Sequence, residues 1–136
     1  RVLREANVDV AMLALNFADR HTYNFEEMAL PLAAERGVGI AAIKVYGGAR
    51  DMKYDKPRPS AIETHGSHYH ERALRYTLGL PAVTIAVIGM YREEELLQNI
   101  PWVQKNAPLT SAEEEALVSQ GREIAAACGP HFGPVR

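Results

Sequence analysis

Three short segments of almost unbroken apolar residues recur along the chain, at residues 8–16, 38–48 and 82–89. Each is rich in valine, isoleucine and alanine, which is typical of strands covered on both faces of a parallel sheet. Helical patterns separate the three segments, and strands that alternate with helices predict right-handed βαβ units. With 136 residues, the chain is long enough for one domain with a substantial core.

The segment between the first two strands carries the marks of a helix. Asn24 and Glu27 have the three-residue spacing of a capping box at its start. Pro31 should kink this helix or move its effective start towards the proline, because a proline lacks the backbone N–H that an interior position needs. Gly37 is placed to end the helix in a left-handed conformation.

The remaining helices have similar boundary signals. Ser67 can cap the helix that precedes the third strand, and Thr110 with Glu113 forms a second capping box before the last helix. Pro101 should end or bend the helix that follows the third strand. The polar, proline-containing residues 49–66 are interpreted as a long surface loop.

Three strands are too few for a comfortable doubly wound domain, because both outer strands would leave apolar edges bare. A complete (β/α)₈ barrel needs about 250 residues, so three βα units are somewhat under half of one. The first residues, RVLREAN, have the pattern of the last turns of a helix. We therefore expect an α/β fold that is part of a TIM barrel, and a chain that is a piece of something longer.

The charge and cysteine content exclude several classes of protein. The formal net charge is −2 and the pI is near 6.2, so no overall basic field attracts nucleic acid or an anionic membrane. A single cysteine, Cys128, excludes an internal disulfide framework and fits a reducing cytosol. No apolar run is long enough to cross a bilayer. The sequence thus predicts a cytoplasmic protein that binds neither nucleic acid nor membrane.

Four sequence stretches, taken in order, resemble the C-terminal part of the aldo-keto reductases and together cover nearly the whole chain. They are VDVAMLALNFADR, LPLAAERGVGIAAIKVYGG, ALRYTLGLPAVTIAVIGMYREEELLQNI and PLTSAEEEAL. The resemblance implies that the three strands are the sixth, seventh and eighth of a (β/α)₈ barrel, with an extra helix packed outside. It also implies an oxidoreductase that moves a hydride between NADP(H), possibly NAD(H), and a small carbonyl or alcohol substrate.

The resemblance places no catalytic residue in this chain. The family's catalytic Asp, Tyr, Lys and His lie on early strands, before Arg1. Lys44 and Tyr46 would fall on the seventh strand, where the family contacts the cofactor, so we do not expect them to act as base and acid. The chain alone should therefore be inactive and should supply the cofactor seat.

The resemblance implies a set of cofactor-binding residues at the ends of the last two strands and in the helix that follows. Two departures concern the nicotinamide: Ile43 replaces a stacking aromatic ring, and Met12 replaces a glutamine that binds the carboxamide. In a third departure, Gly89 and Met90 stand where one large branch of the family has a lysine–serine pair. The full set is Ile43, Lys44, Val45, Tyr46, Gly47, Gly89, Met90, Arg92, Glu95, Gln98 and Asn99.

The residue type at Glu95 bears on the preference for NADP(H) or NAD(H). It falls where NADP-preferring members often place an arginine for the ribose phosphate, and a carboxylate there disfavours a second anion and can accept a ribose hydroxyl. Arg92 can compensate. Gln98 and Asn99 match the family's adenine-binding pair. Acidic residues in the first turn of a helix also complement its dipole without any function.

Polar residues after the first strand are candidates for contact with substrate, because they would lie on the rim of the barrel. These are Asn16, Asp19 and His21, with Arg20 between the last two. Three further histidines, His65, His68 and His70, lack the cysteine or carboxylate spacing of a known zinc site, so no metal is expected.

Two alternatives from other classes stay open on the sequence. A barrel of this family without its catalytic residues can act as a non-catalytic, nicotinamide-binding regulatory subunit. A self-contained half barrel that dimerises through its open edges is also compatible with three strands. The sequence leaves the oligomeric state open.

Overall fold

A computed structural model describes residues 1–49, 53, 55–63, 69–105 and 107–128. Three parallel strands form one sheet in the order β1 (Val10–Ala14), β2 (Gly39–Ile43) and β3 (Val83–Ala86). A 3₁₀ turn, Asp19–His21, follows β1. The helices are α1 (Val2–Glu5), α2 (Phe25–Met28), α3 (Leu30–Glu35), α4 (Tyr69–Gly79), α5 (Glu93–Lys105) and α6 (Ser111–Cys128). The predicted α/β class with a parallel sheet is confirmed.

The strands are shorter than the apolar segments that predicted them. Pairing between β1 and β2 begins at Val10 with Gly39, and the register between β2 and β3 shifts after Ile40. The flanking residues Leu15, Val38 and Val45 are buried although they lie outside the strands. Burial in the core, and not strand pairing, accounts for their apolar character.

One face of the sheet packs against helices and forms the first of two hydrophobic clusters. Ile40 from β2, Leu30 from α3 and Leu74 from α4 are buried within it. The second cluster lies beyond the end of β1, where Phe17 meets α4 and α6, with Leu117 contributed by α6. The two clusters hold the helices on one side of the sheet.

The opposite face of the sheet carries apolar side chains that the described residues leave uncovered. Val10 is 65% exposed, Met12 62% and Ile85 58%. The strand register places these three side chains on the same face as Ala41. Parallel sheets are ordinarily covered on both faces, so this face departs from the covered sheet that the sequence predicts.

The helix-start signals before α2 and α6 have the expected hydrogen bonds. Asn24 accepts from the backbone N–H of Glu27 at 3.4 Å. Thr110 and Glu113 form a reciprocal capping box: the Thr110 N–H donates to the Glu113 carboxylate at 2.8 Å, and the Glu113 N–H donates to the Thr110 hydroxyl at 3.2 Å. Both predicted starts are confirmed.

The residues after α2 also follow the prediction. Pro31 lies in the first turn of a separate helix, α3. Of the two expected outcomes, a kink or a displaced helix start, the structure shows the displaced start. Gly37 follows α3 with φ +67°, the left-handed conformation that glycine adopts without steric cost.

Three expectations about boundaries have different outcomes: helix α5 does not end at Pro101, the surface loop needs correction, and the cap Ser67 lies outside the described residues. Pro101 does not end its helix, since α5 continues to Lys105; Trp102 packs against the core and supports the helix beyond the proline. Within the expected surface loop, Ala61 and Ile62 are fully buried in the second cluster. The expected cap Ser67 lies outside the described residues.

None of the helices in the described ranges has the length and apolar character needed to span a bilayer.

Gly121 in α6 provides a test of the packing between α6 and the end of β1. A Cβ atom at this position would lie 2.2 Å from the carbonyl oxygen of Phe17, so the helix could not keep its place. We expect Gly121→Ala to lower the free energy of unfolding by roughly 1–3 kcal/mol or more, as overpacked cores do, measured by urea denaturation.

Gly79→Ala is the matched control, because a Cβ there meets nothing within 4 Å and the position is helical. It should be neutral or stabilising by up to about 1 kcal/mol. Equal stabilities of the two variants would contradict the close packing of α6 on Phe17.

Candidate functional site

A groove of about 910 Å³ lies at the carboxyl ends of β2 and β3. Its walls come from the turn after β2, the segment before α4, the turn after β3, and the sides of α4 and α5. Ligand sites in sheets of parallel strands form at this end, and pockets for small molecules have volumes of about 300–1,000 Å³. Nine predicted cofactor residues line it: Lys44, Val45, Tyr46, Gly89, Met90, Arg92, Glu95, Gln98 and Asn99.

Two predicted cofactor residues, Ile43 and Gly47, are not among the groove-lining residues. Ile43 pairs with Ala14 at the end of β2 and so shares the uncovered face of the sheet with Met12. Gly47 has φ +77° and donates its N–H to the Lys44 carbonyl at 2.6 Å. Gly47 therefore shapes the turn that carries its neighbours into the groove.

The turn after β2 has an unusual backbone at Lys44. Its φ is +59°, a left-handed conformation that non-glycine residues adopt in only a few per cent of cases. Such conformations persist where surrounding contacts fix them. Here Val45 is buried in the core on one side of the turn, and the Asn16 side chain holds the Lys44 carbonyl on the other.

Glu95 has partners within its own turn and helix. Its carboxylate accepts the Tyr91 N–H at 2.8 Å and pairs with the Arg92 guanidinium at 3.1 Å. The hydrogen bond from the Tyr91 backbone is the main cause that lowers the pKa of Glu95 below its usual range. Arg92 thus offsets the negative charge of Glu95 at the mouth of the groove.

A polar network crosses the groove from the segment before α4 to α5. The Ser60 hydroxyl lies 3.1 Å from Nε2 of His70. The His70 ring meets the Tyr46 ring edge-on with centroids 4.6 Å apart, and the Tyr46 hydroxyl donates to Oδ1 of Asn99 at 2.6 Å.

Sequence reasoning missed Ser60 and its partner Glu63, although a signal was present. The stretch SAIE has the Ser-x-x-Glu spacing of a capping box, and the structure shows both of its hydrogen bonds, each at 3.2 Å. Arg58 and Arg72 also line the groove, and no pattern in the sequence distinguishes them from other surface arginines.

The three predicted substrate residues lie together after β1 but do not line the groove. Asn16 donates to Asp19 at 2.9 Å and to the Lys44 carbonyl at 2.8 Å, and it accepts the N–H groups of Ala18 and Asp19. His21 contacts the Val118 carbonyl of α6 at 2.8 Å. All three are buried, and contact with substrate stays a prediction.

Burial has opposite effects on the two titratable members of this group. Desolvation raises the pKa of Asp19 to about 7, although hydrogen bonds from Thr22 and Asn16 and the charge of Lys44 oppose the rise. Desolvation lowers the pKa of His21 below its ordinary value. Both shifts disfavour the charged form, as expected for buried groups.

Among the described residues, no group of three or more His, Cys, Asp or Glu side chains could hold a metal ion. His65 and His68 lie outside the described residues, and Nε2 of His70 is directed to Ser60.

The raised pKa of Asp19 predicts a pH dependence of stability. Between about pH 4 and pH 7, folded Asp19 keeps a proton that the unfolded chain has released, because its pKa rises from 3.8 to about 7 on folding. The contribution of Asp19 to the free energy of unfolding should therefore fall as pH rises through this range. We expect Asp19→Asn to gain roughly 3–4 kcal/mol relative to wild type between pH 4 and 7.5, because a shift of about three pKa units corresponds to about 1.4 kcal/mol per unit; urea denaturation measures the difference.

Asp9→Asn, a change at an exposed carboxylate, is the control and should run parallel to wild type. A constant difference between Asp19→Asn and wild type across this pH range would contradict the protonation of buried Asp19.

Comparisons with known proteins place this geometry in context. No family model matches the chain. Pyridoxal 4-dehydrogenase of Microbacterium luteolum is 27% identical in a match that covers 86% of this chain and 40% of that protein. An aldo-keto reductase from Bacillus halodurans is 21% identical; its apo form matches with a TM-score of 0.61 over 96% of this chain, and its holo form with 0.59 over 88%.

The chain spans less than half of each of these relatives: 40% of the dehydrogenase, and 49% and 44% of the two reductase structures. At this level of identity the solved structures show the fold, and the dehydrogenase adds similarity in sequence. Together the comparisons support the relationship to the aldo-keto reductases that the four sequence motifs predict, through a fold shared with one solved member and a similarity in sequence to one dehydrogenase.

Proposed function

We propose that this chain forms the cofactor seat of an NAD(P)H-dependent oxidoreductase that interconverts small carbonyl compounds and alcohols. The observation that supports this function best is the groove at the carboxyl ends of β2 and β3, lined by nine of the residues that the family resemblance nominates. When bound, a nicotinamide cofactor supplies the hydride for such a reaction.

The chemistry of the groove fits a dinucleotide. Lys44, Arg58 and Arg72 line it and supply cations for phosphate oxygens. Gly89, without a side chain, leaves open space where the turn after β3 meets the groove. At the α5 side, the carboxamide of Asn99 offers hydrogen bonds for a base.

The uncovered face of the sheet supports the proposal that these strands are part of a larger barrel. Val10, Met12 and Ile85 form an apolar surface of the kind that side chains from further strands cover inside a (β/α)₈ barrel. In this arrangement β1, β2 and β3 are the sixth, seventh and eighth strands. The family's catalytic tetrad then lies on strands outside this chain.

Binding without turnover is the first expected outcome. The purified 136-residue protein should bind NADPH or NADH, measured by isothermal titration calorimetry. It should not oxidise either cofactor when a reactive aldehyde is added, measured by the absorbance of the reduced nicotinamide. Arg72→Ala should weaken binding roughly tenfold or more, since one contact with a charged group contributes about 1.5 kcal/mol or more.

Glu35→Gln is the matched control, because Glu35 is exposed on α3 and does not line the groove. It should bind as wild type does. Turnover by the pure protein would contradict the proposal that the catalytic residues lie outside this chain. Loss of binding in Glu35→Gln would show that the assay reports the stability of the protein and not cofactor binding in the groove.

Cofactor preference tests the pairing of Glu95 with Arg92. Because Arg92 offsets the carboxylate, NADP(H) is the proposed cofactor and NAD(H) the possible second. Removal of the cation by Arg92→Ala should weaken NADPH more than NADH, and Glu95→Gln should favour NADPH. Both changes in the affinity ratio should be roughly two- to fivefold, because exposed ion pairs contribute about 1 kcal/mol or less.

Titration of each variant with NADH and NADPH measures this ratio. A ratio unchanged from wild type in both variants would contradict a ribose phosphate beside Glu95, while leaving the proposal of a dinucleotide groove intact.

A further inference from the structure

The hydrogen bond between Tyr46 and Asn99 joins two separate walls of the groove. The Tyr46 hydroxyl, in the turn after β2, lies 2.6 Å from Oδ1 of Asn99 in α5. Both residues line the groove, and Asn99 is buried. This bond determines which end of the Asn99 carboxamide is available to a ligand.

The orientation of the carboxamide follows from the hydrogen-bonding capacity of the two groups. The tyrosine hydroxyl has one proton to donate, and burial raises the pKa of Tyr46 above its ordinary value, so the proton stays in place. The amide oxygen is the acceptor that the described residues provide for it. A flipped amide would turn its NH₂ group towards the tyrosine O–H, which would then lose this acceptor.

The position of the Tyr46 ring is also fixed. The His70 ring packs edge-on against it, and His70 is in turn held by the Ser60 hydroxyl. The ring therefore cannot easily turn its hydroxyl away from Asn99.

The amide nitrogen of Asn99 makes no hydrogen bond to the residues that the structure describes. We propose that Tyr46 positions Asn99 so that the groove presents an N–H donor, and not the amide oxygen, to the base of the dinucleotide. This role rests on the proposed function. It predicts recognition of a ring nitrogen acceptor of the purine, with no contact from Asn99 to the exocyclic amino group.

Binding of nicotinamide adenine dinucleotide and of its hypoxanthine analogue tests this orientation. The analogue keeps the ring acceptor of the five-membered ring but carries a carbonyl in place of the amino group. Wild type should bind both within about threefold. In Tyr46→Phe the amide oxygen loses its donor and can turn to the adenine amino group, so adenine should be preferred roughly tenfold.

Asn99→Asp is the matched control for the donor. A carboxylate still accepts from Tyr46 but offers no N–H group, so both dinucleotides should bind roughly tenfold more weakly with their ratio unchanged. Tyr46→Phe keeps the aromatic ring and its contact with His70, and a thermal melt close to that of wild type checks its fold.

Two results would overturn the positioning role while the proposed function stands: a strong preference for adenine in wild type, or the same ratio in Tyr46→Phe as in wild type. Failure of wild type to bind either dinucleotide would instead overturn the proposed function. In that case the amide orientation is decided in the free protein by NMR, where strong Overhauser contacts between the Asn99 NH₂ protons and the Tyr46 ring would contradict it.

Discussion

The hydrogen bonds of the buried Asn16 side chain are the interaction on which the carboxyl end of the sheet depends. Its carboxamide makes all four hydrogen bonds of which it is capable: two donated, to Asp19 and the Lys44 carbonyl, and two accepted, from the N–H groups of Ala18 and Asp19. One residue thereby starts the turn after β1 and holds the turn after β2. A buried amide satisfied in this way leaves little freedom to either turn.

Two of the four glutamates that line the groove have their charges offset by neighbouring arginines. Glu95 and Glu113 both line it, yet each caps the start of its own helix and pairs with an arginine, Arg92 and Arg75 respectively. Their carboxylates are therefore neutralised where the groove would otherwise repel an anion. The helix starts and the electrostatics of the site are set by the same hydrogen bonds.

Much of the fold, and the nomination of nine residues that line the candidate groove, could be predicted from the sequence where the signals are local. The capping box at Thr110 was predicted because its partners are three residues apart. The burial of Ile62 was not, since it depends on Phe17 and α6, far away in the chain. Pro101 was expected to end or bend its helix; the helix does not end there, because Trp102 packs against the core, a contact that local rules omit.

The sequence by itself determined the alternation of strands and helices, the starts of α2 and α6, and the resemblance that nominates residues after β2 and β3. These depend on periodicity and on contacts between near neighbours. Only the tertiary structure decided that Tyr46 meets Asn99, 53 residues away, and that Asn16 lies buried and outside the groove. Such contacts arise because parallel strands bring their carboxyl ends together, and no pattern within one segment encodes the partner in another.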